Sequence, residues 1–166
     1  MYENTVKNSS VTGLWYENGD NAGSIEVANG AHHNTFENIS ISGVRGAIRF
    51  RDWIDGSGQA NDDNDAGNNN IYKNINVSNC LIAIHFDEFS KLEGLAWNNQ
   101  FENCKFSNNQ RLFHTNRPNS GTKLINCVIE NVSLFARASN GYNYDLNPNT
   151  EFIDNQWINN GFNKPD

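Results

Sequence analysis

The chain has 166 residues, a formal net charge of −7 and a mean hydropathy of −0.70. This length suits one hydrophobic core and is short for two, so we expect a single domain over residues 1–166. The acidic balance argues against nucleic acid and anionic membranes as partners, because both attract clustered lysine and arginine. An acidic glycan would also be repelled unless a metal ion or a local arginine patch reverses the sign. No run of about 18 apolar residues is present, so no membrane-spanning helix is expected.

One short pattern recurs along the chain around a marker residue that is asparagine in five copies and aspartate in the sixth. The markers are Asn8, Asn38, Asn74, Asn103, Asn126 and Asp154, at steps of 30, 36, 29, 23 and 28 residues. Self-similarity at this period is typical of a solenoid, in which each repeat buries its core against its neighbours. Marker asparagines at one turn could exchange amide hydrogen bonds along the stack, which would explain the 32 asparagines without a ligand.

Each repeat carries two strand signals. The marker lies inside the first, as in TFENISIS (35–42) and IYKNINVS (71–78). The second aligns without gaps across AIRFRD (47–52), AIHFDE (83–88), LFHTNR (112–117) and LFARAS (134–139). Alternation at period two predicts an inner column, Ile48, Ile84, Phe113 and Phe135, and an outer column, Arg49, His85, His114 and Ala136.

A third, less regular strand is expected in GSIEVA (23–28) and GLAWNNQ (94–100). No helical pattern separates the copies, so the sequence predicts an all-β parallel β-helix of about six coils. Cys104 and Cys127 both follow a marker and would be vertical neighbours. We expect them to be reduced, because in-register side chains point the same way, which is poor geometry for a disulfide. Cys80 is expected to fill a small space in the core.

The segments NTFENISISGVRGAIRF, NNIYKNINVSNCLIAIHF and NNQFENCKFSNNQRLFH resemble the coil repeats of right-handed parallel β-helix proteins of the pectate-lyase-like superfamily. The resemblance covers about residues 4–162 and implies a right-handed solenoid. That superfamily includes polysaccharide lyases, glycoside hydrolases, uronate epimerases and phage tailspikes, so the fold alone does not select a reaction. DWIDG (52–56) is similar to a pectate-lyase strand but lacks the histidine that follows it there, and no catalytic residue is carried over.

The outer column of the second strand holds the candidate chemistry. The catalytic candidates are Arg49, His85, His114, Asp87 and Arg117, and the substrate-binding candidates are Arg51, Asp52, Glu88 and Trp97. An arginine or histidine could abstract the proton next to a uronate carboxylate while another cation neutralises that carboxylate. Asp87 and Glu88 are a poor pair for hydrolysis, because adjacent residues of a strand point to opposite faces. The alternative is a solvated sheet face whose unlike charges align the coils.

The loop GQANDDNDAGNNN (58–70) is a candidate calcium site. Asp63, Asp65 and Asn69 are spaced so that oxygen ligands alternate around Gly67. The closing glutamate of a full calcium loop is missing, and a polar insertion between repeats explains the same residues.

The sequence therefore predicts a carbohydrate-recognising β-helix, with lyase chemistry on an acidic polysaccharide as the candidate reaction. The alternative is a non-catalytic structural or adhesion module, such as a tail-fibre segment, that forms a homo-oligomer through open solenoid ends. The opening segment has neither a charged nor an apolar leader region. A secreted protein cut from a longer precursor and a cytoplasmic protein are both compatible with it.

Overall fold

The computed structural model describes residues 3–13, 23–28, 31–51, 67–87, 96–115, 119–137 and 150–165. These residues are all-β and include no helix of the length and apolarity that crossing a membrane requires. Their strands, numbered in chain order, are β1 (Thr5–Thr12), β2 (Gly23–Ala28), β3 (Thr35–Ser42), β4 (Gly46–Arg51), β5 (Ile71–Lys73), β6 (Asn76–Ser78), β7 (Ile82–Asp87), β8 (Ala96–Trp97), β9 (Gln100–Glu102), β10 (Lys105–Ser107), β11 (Arg111–Thr115), β12 (Asn119–Ser120), β13 (Lys123–Ile125), β14 (Val128–Glu130), β15 (Leu134–Arg137), β16 (Glu151–Ile153) and β17 (Gln156–Ile158).

The strands form three sheets, and every strand pair in the described part of the chain is parallel. The first sheet has ten strands in the order β16-β13-β9-β5-β3-β6-β10-β14-β17, with β1 beside β3. The second sheet has the order β15-β11-β7-β4-β2, and the third pairs β12 with β8. Because each strand pairs with its counterpart in the next repeat, the architecture is compatible with a solenoid of the β-helix type.

The first sheet confirms the predicted register of the marker repeat. One inward column is Val6, Phe36, Tyr72, Phe101, Leu124 and Phe152, and the other is Val11, Ile41, Val77, Phe106, Ile129 and Trp157. The Tyr72 ring stacks between those of Phe36 and Phe101, with centroids 5.0 and 4.6 Å away. Stacked aromatic and branched side chains thus fill the core, as strands built on this alternation require.

Every marker residue bends the chain through a left-handed backbone conformation. Asn38 and Asn74 have φ values of 56° and 53°, and the other markers have similar values. Asparagine tolerates this region better than most residues because its short amide can bond locally. The markers are exposed, and the predicted amide ladder runs outside the core from Asn74 to Asn38 and on to Asn8, with both N–O distances 3.1 Å.

A second asparagine ladder, which we did not predict, lies inside the core. Asn34, Asn70 and Asn99 are 3%, 0% and 0% exposed, and each directly follows a left-handed corner residue. Asn70 Oδ1 accepts hydrogen bonds from the backbone N–H and the side-chain amide of Asn34, both at 3.0 Å. Asn70 Nδ2 donates to Asn99 Oδ1 and to the Ala31 carbonyl. The inner amides therefore satisfy backbone groups that the turn would otherwise bury without a partner.

The second sheet confirms the stacking of Ile48, Ile84 and Phe113 but corrects the last segment by one residue. Phe113 pairs with Ala136 rather than with Phe135. The register is set by the left-handed corner, because β4, β7, β11 and β15 each start three residues after one, as Arg111 follows Asn108. The ungapped alignment matched two Leu-Phe pairs and ignored the corner. Phe135 still packs on Phe113, with ring centroids 5.6 Å apart.

The three cysteines are free and buried, as predicted. Cys104 and Cys127 each follow a marker and donate from sulfur to the carbonyls of Tyr72 and Phe101, both at 3.4 Å. The side-chain hydrogen bond with Cys127, together with burial, raises the pKa of Cys104 above its ordinary value. Cys104 is therefore a neutral thiol and a hydrogen-bond donor in the core.

From residue 31 onward, repeat length varies in one place only. The stretches from the third sheet to the start of the second, 31–46, 67–82, 96–111 and 119–134, are equal in length. The segments that follow β4, β7, β11 and β15 are unequal and lie outside the described residues: 52–66, 88–95, 116–118 and 138–149. Sequence between the second and third sheets therefore accounts for the uneven steps between markers from Asn38 onward.

Candidate functional site

The arginines and lysines of this chain occupy different sheets. All six arginines lie in the second sheet or within two residues of its strands: Arg45, Arg49, Arg51, Arg111, Arg117 and Arg137. Four lysines on the first sheet are each paired with a glutamate of the next repeat: Lys7–Glu37 at 3.0 Å, Lys73–Glu102 at 3.4 Å, Lys105–Glu130 at 2.9 Å and Lys123–Glu151 at 3.0 Å. The first sheet is thus close to neutral, whereas positive charge collects on the second.

The predicted outer column exists. Arg49, His85 and His114 are Cα partners in successive strands, with Glu26 before them. The rings of His85 and His114 have centroids 4.8 Å apart. The column continues to Arg137, not to Ala136 as the ungapped alignment predicted, because of the one-residue correction in β15.

One end of this column is buried, which corrects the expectation of a solvated face. Arg49 is 1% exposed and His85 is 6% exposed. The guanidinium of Arg49 lies 3.3 Å from a carboxylate oxygen of Glu26, and that of Arg51 lies 3.8 Å from the other oxygen. A buried cation needs such a partner to offset its lost hydration, so Arg49 and Glu26 fit a structural role.

The other end of the column is an accessible cationic cluster, formed by Arg111, His114 and Arg137. Arg137 is exposed, and the other two are partly buried. Within the described ranges no carboxylate forms a salt bridge with Arg111 or Arg137. Burial lowers the pKa of Arg111, and the charges of Arg137 and Arg45 lower it further. Arg111 still stays protonated at neutral pH, so this end of the column carries positive charge that no carboxylate of the described residues neutralises through a salt bridge.

A hydrogen bond fixes the state of His114. Arg111 Nη1 lies 3.2 Å from His114 Nδ1. A guanidinium can only donate, so Nδ1 is the acceptor and the imidazole is neutral with its proton on Nε2. His114 therefore offers an N–H donor, not a free base, at Nε2.

Among the described residues, Asp87 and Trp97 are not part of this cluster. The backbone of Asp87 pairs with Arg51, and Trp97 belongs to the third sheet, where it is 37% exposed. Five of the predicted residues fall outside the described part of the chain: Asp52, Asp63, Asp65, Glu88 and Arg117.

The calcium site stays a prediction. Asn69 is a left-handed corner residue, and its Nδ2 donates to Asn68 Oδ1 at 3.0 Å. No group of three or more His, Cys, Asp or Glu side chains suited to a metal ion occurs among the residues that the structure describes. That search does not reach Asp63 or Asp65.

Sequence reasoning missed the contributions of Arg45, Arg111 and Arg137. Arg111 precedes the segment LFHTNR that was aligned, and Arg137 was displaced by the register error. Counting from each left-handed corner would have found Arg137, since it lies six residues after Asn131 as His114 lies six after Asn108. Comparison with protein-family models, curated proteins and solved structures finds no match to this chain.

Proposed function

We propose that this chain is a carbohydrate-recognising, right-handed parallel β-helix of about six coils, similar to the pectate-lyase-like superfamily, and that it binds an acidic glycan. The observation that carries the proposal is the pair of Arg111 and Arg137, neither of which forms a salt bridge with a carboxylate of the described residues, in a protein of net charge −7. The site has the local arginine patch that an acidic chain needs in order to approach an acidic protein.

The chemistry of the cluster suits a uronate. Each guanidinium presents a planar fork of donors that matches a carboxylate in a bidentate pair. Arg111 and Arg137 belong to neighbouring layers, which in parallel sheets are about 4.8 Å apart.

Holding these cations together has a cost that a purely structural sheet would avoid. Burial lowers the pKa of Arg111, and the nearby charges of Arg137 and Arg45 lower it further. Perturbed groups that no internal partner compensates are typical of ligand sites. The paired lysines of the first sheet show that this chain neutralises surface charge elsewhere.

The geometry favours binding over elimination by His114. Lyase chemistry requires an unprotonated base facing the sugar C–H, whereas the bond from Arg111 occupies His114 Nδ1 and leaves the ring proton on Nε2. Elimination at this site would need a different base, with the arginines neutralising the carboxylate. Absorbance of unsaturated products from a panel of acidic polysaccharides, with and without calcium, tests that reaction.

The binding test uses Arg111→Gln, with Lys105→Gln as the matched control. Both changes remove one positive charge, but Lys105 lies on the first sheet in an ion pair with Glu130. Calorimetric titration with oligogalacturonate should show binding that weakens as salt rises. Loss of a charged hydrogen bond worth about 1.5–3 kcal/mol should lower affinity roughly 10- to 100-fold in the Arg111 variant. The control should change affinity less than about twofold.

Thermal unfolding of both variants separates binding from folding. The Arg111 variant should melt no lower than the native protein, because the substitution relieves repulsion from Arg45 and Arg137. The proposal fails if no acidic oligosaccharide binds, if a neutral one of equal length binds equally at the cluster, or if the two variants lose affinity alike.

A further inference from the structure

A second polar groove lies away from the arginine cluster, at the corner between the third sheet and the first. It encloses about 330 Å³, within the size range of small-ligand sites. Its walls include Asn69, Ile71, Asn98, Gln100, Gly121 and Lys123. These residues come from three successive layers, so the groove runs along the stack for about 10 Å.

The repeat itself builds the groove. In each layer a left-handed corner residue forms one wall, as Asn69, Asn98 and Gly121 do. The next residue points into the core and anchors the corner, as Asn99 does through its hydrogen bonds to Asn70 and Gly67. The residue after that points outward again and forms the other wall, as Gln100 does.

Glycine at position 121 keeps the amide of Asn98 in place. Gly121 has a φ of 63°, and a side chain there would collide with Asn98 Oδ1. In the described part of the chain, neither the Asn98 amide nor the Gln100 amide makes a side-chain hydrogen bond. Both groups are therefore available to a ligand as donors and acceptors.

The groove is close to electrically neutral. Lys123 is held by Glu151 at 3.0 Å, and Asn69 is bonded to Asn68. Trp97 directly precedes Asn98 and is 37% exposed, although its column partner Asn68 is buried. Trp97 does not line the groove, but it is exposed one residue from Asn98, which does, so a ligand that extends beyond the groove meets an apolar face as well as polar hydrogen-bonding groups.

We propose that this corner groove, lined by Asn98 and Gln100 with Gly121 as its spacer, binds an uncharged oligosaccharide that extends onto the indole of Trp97, the residue next to Asn98 in the chain. Amides pair with the hydroxyl groups of a sugar as both donor and acceptor, and the indole packs against the C–H face of the ring. The site does not depend on the acidic-glycan proposal, because it uses different residues, a different side of the solenoid and a ligand without charge.

The test titrates cello-, manno- and chito-oligosaccharides into the native protein and three variants, by calorimetry and by amide chemical-shift mapping. Trp97→Ala removes the platform. Asn98→Gly removes the amide but keeps the left-handed corner, since the chain itself uses glycine at Gly121. Asn103→Gly makes the same change at an exposed marker outside the groove and serves as the matched control.

At least one neutral oligosaccharide should bind, with shifts centred on residues 96–100. The Trp97 variant should lose more than about tenfold in affinity and the Asn98 variant several-fold, whereas Asn103→Gly and Arg111→Gln should change it less than about twofold. Unchanged melting temperatures would assign the losses to contact rather than folding. The proposal is overturned if no neutral oligosaccharide binds, if the groove variants bind as the native protein does, or if either control loses as much affinity as they do.

Discussion

Asparagine occupies two kinds of position in this molecule, and the same side chain does different work in each. The inner asparagines, Asn34, Asn70 and Asn99, are buried and use their amides to satisfy backbone groups. The outer markers, such as Asn38 and Asn74, are exposed and contribute chiefly a left-handed backbone conformation. Composition alone cannot separate these roles, because one depends on hydrogen bonding in the core and the other on φ.

The largest expected effect is at the ladder of buried asparagines. Asn70→Ala removes the acceptor for two N–H groups of Asn34 and leaves the Ala31 carbonyl and Asn99 Oδ1 without that donor. Each buried group left unsatisfied costs about 1–3 kcal/mol, so we expect a loss of at least about 3 kcal/mol in the free energy of unfolding. Equilibrium unfolding in urea measures it. A loss below about 1 kcal/mol would contradict the distinction between the buried asparagines and the exposed markers.

At the exposed marker asparagines the expected loss of stability is smaller and depends on the residue that replaces asparagine. Asn74 has a φ of 53°, which costs alanine roughly 1–2 kcal/mol and costs glycine little. Asn74→Ala should therefore be destabilising by about 1 kcal/mol and Asn74→Gly nearly neutral, by the same urea measurement. If the exposed bond to Asn38 carried the stability instead, alanine and glycine would lose equally.

The smallest expected effect concerns a buried polar group that, unlike the inner asparagine amides, has no hydrogen-bond partner among the described residues. Tyr72 is fully buried between two phenylalanines, and its hydroxyl has no hydrogen-bond partner among the described residues. Unlike the inner amides, this polar group is a liability. Tyr72→Phe should therefore raise the free energy of unfolding by up to about 1 kcal/mol at neutral pH.

The same variant has a predictable pH dependence. Burial raises the pKa of Tyr72 above its ordinary value of 10.0, so the folded state binds the phenolic proton more tightly than the unfolded state does. Below about pH 10 both states keep the phenolic proton, and the stability of the protein does not depend on this group's titration. Above that pH the unfolded state loses the proton first, so the free energy of unfolding falls as the pH rises. The advantage of Tyr72→Phe should thus stay constant up to about pH 9 and widen above it. A constant advantage across that range would show that the hydroxyl is not buried.

Much of the fold followed from the sequence, because aromatic and branched residues recur at fixed distances from a marker. Tyr72, Phe101 and Phe106 were placed correctly on that basis. The ladder of buried asparagines was missed because two adjacent asparagines differ in role, as at Asn69–Asn70 and Asn98–Asn99. The first is a corner residue and the second points into the core, and the sequence alone does not distinguish them. At the markers the inward residue that follows the corner is often cysteine or isoleucine, so the sequence did not show that both kinds of corner share this geometry.

The candidate site was only partly predictable. Arg49, His85 and His114 share a register, as expected, since period-two alternation is reliable within one strand. Burial of Arg49 could not be read from the strand, because exposure depends on what packs over it. The tautomer of His114 depends on Arg111, three residues earlier and outside the aligned segment. The alignment matched Leu112 with Leu134 because both are apolar, whereas the preceding turn determines the observed register and pairs Leu134 with Arg111.

From residue 31 onward, the confinement of length variation to the stretch between the second and third sheets makes this solenoid a modular scaffold. The equal spans, such as 96–111 and 119–134, keep the layers aligned, while 52–66 and 116–118 differ fivefold in length without disturbing the pairing of β4, β7 and β11. Connections that tolerate insertion are where recognition diversifies. Peptides could therefore be grafted after the arginine-bearing strands to alter specificity while the cross-section of the column is preserved.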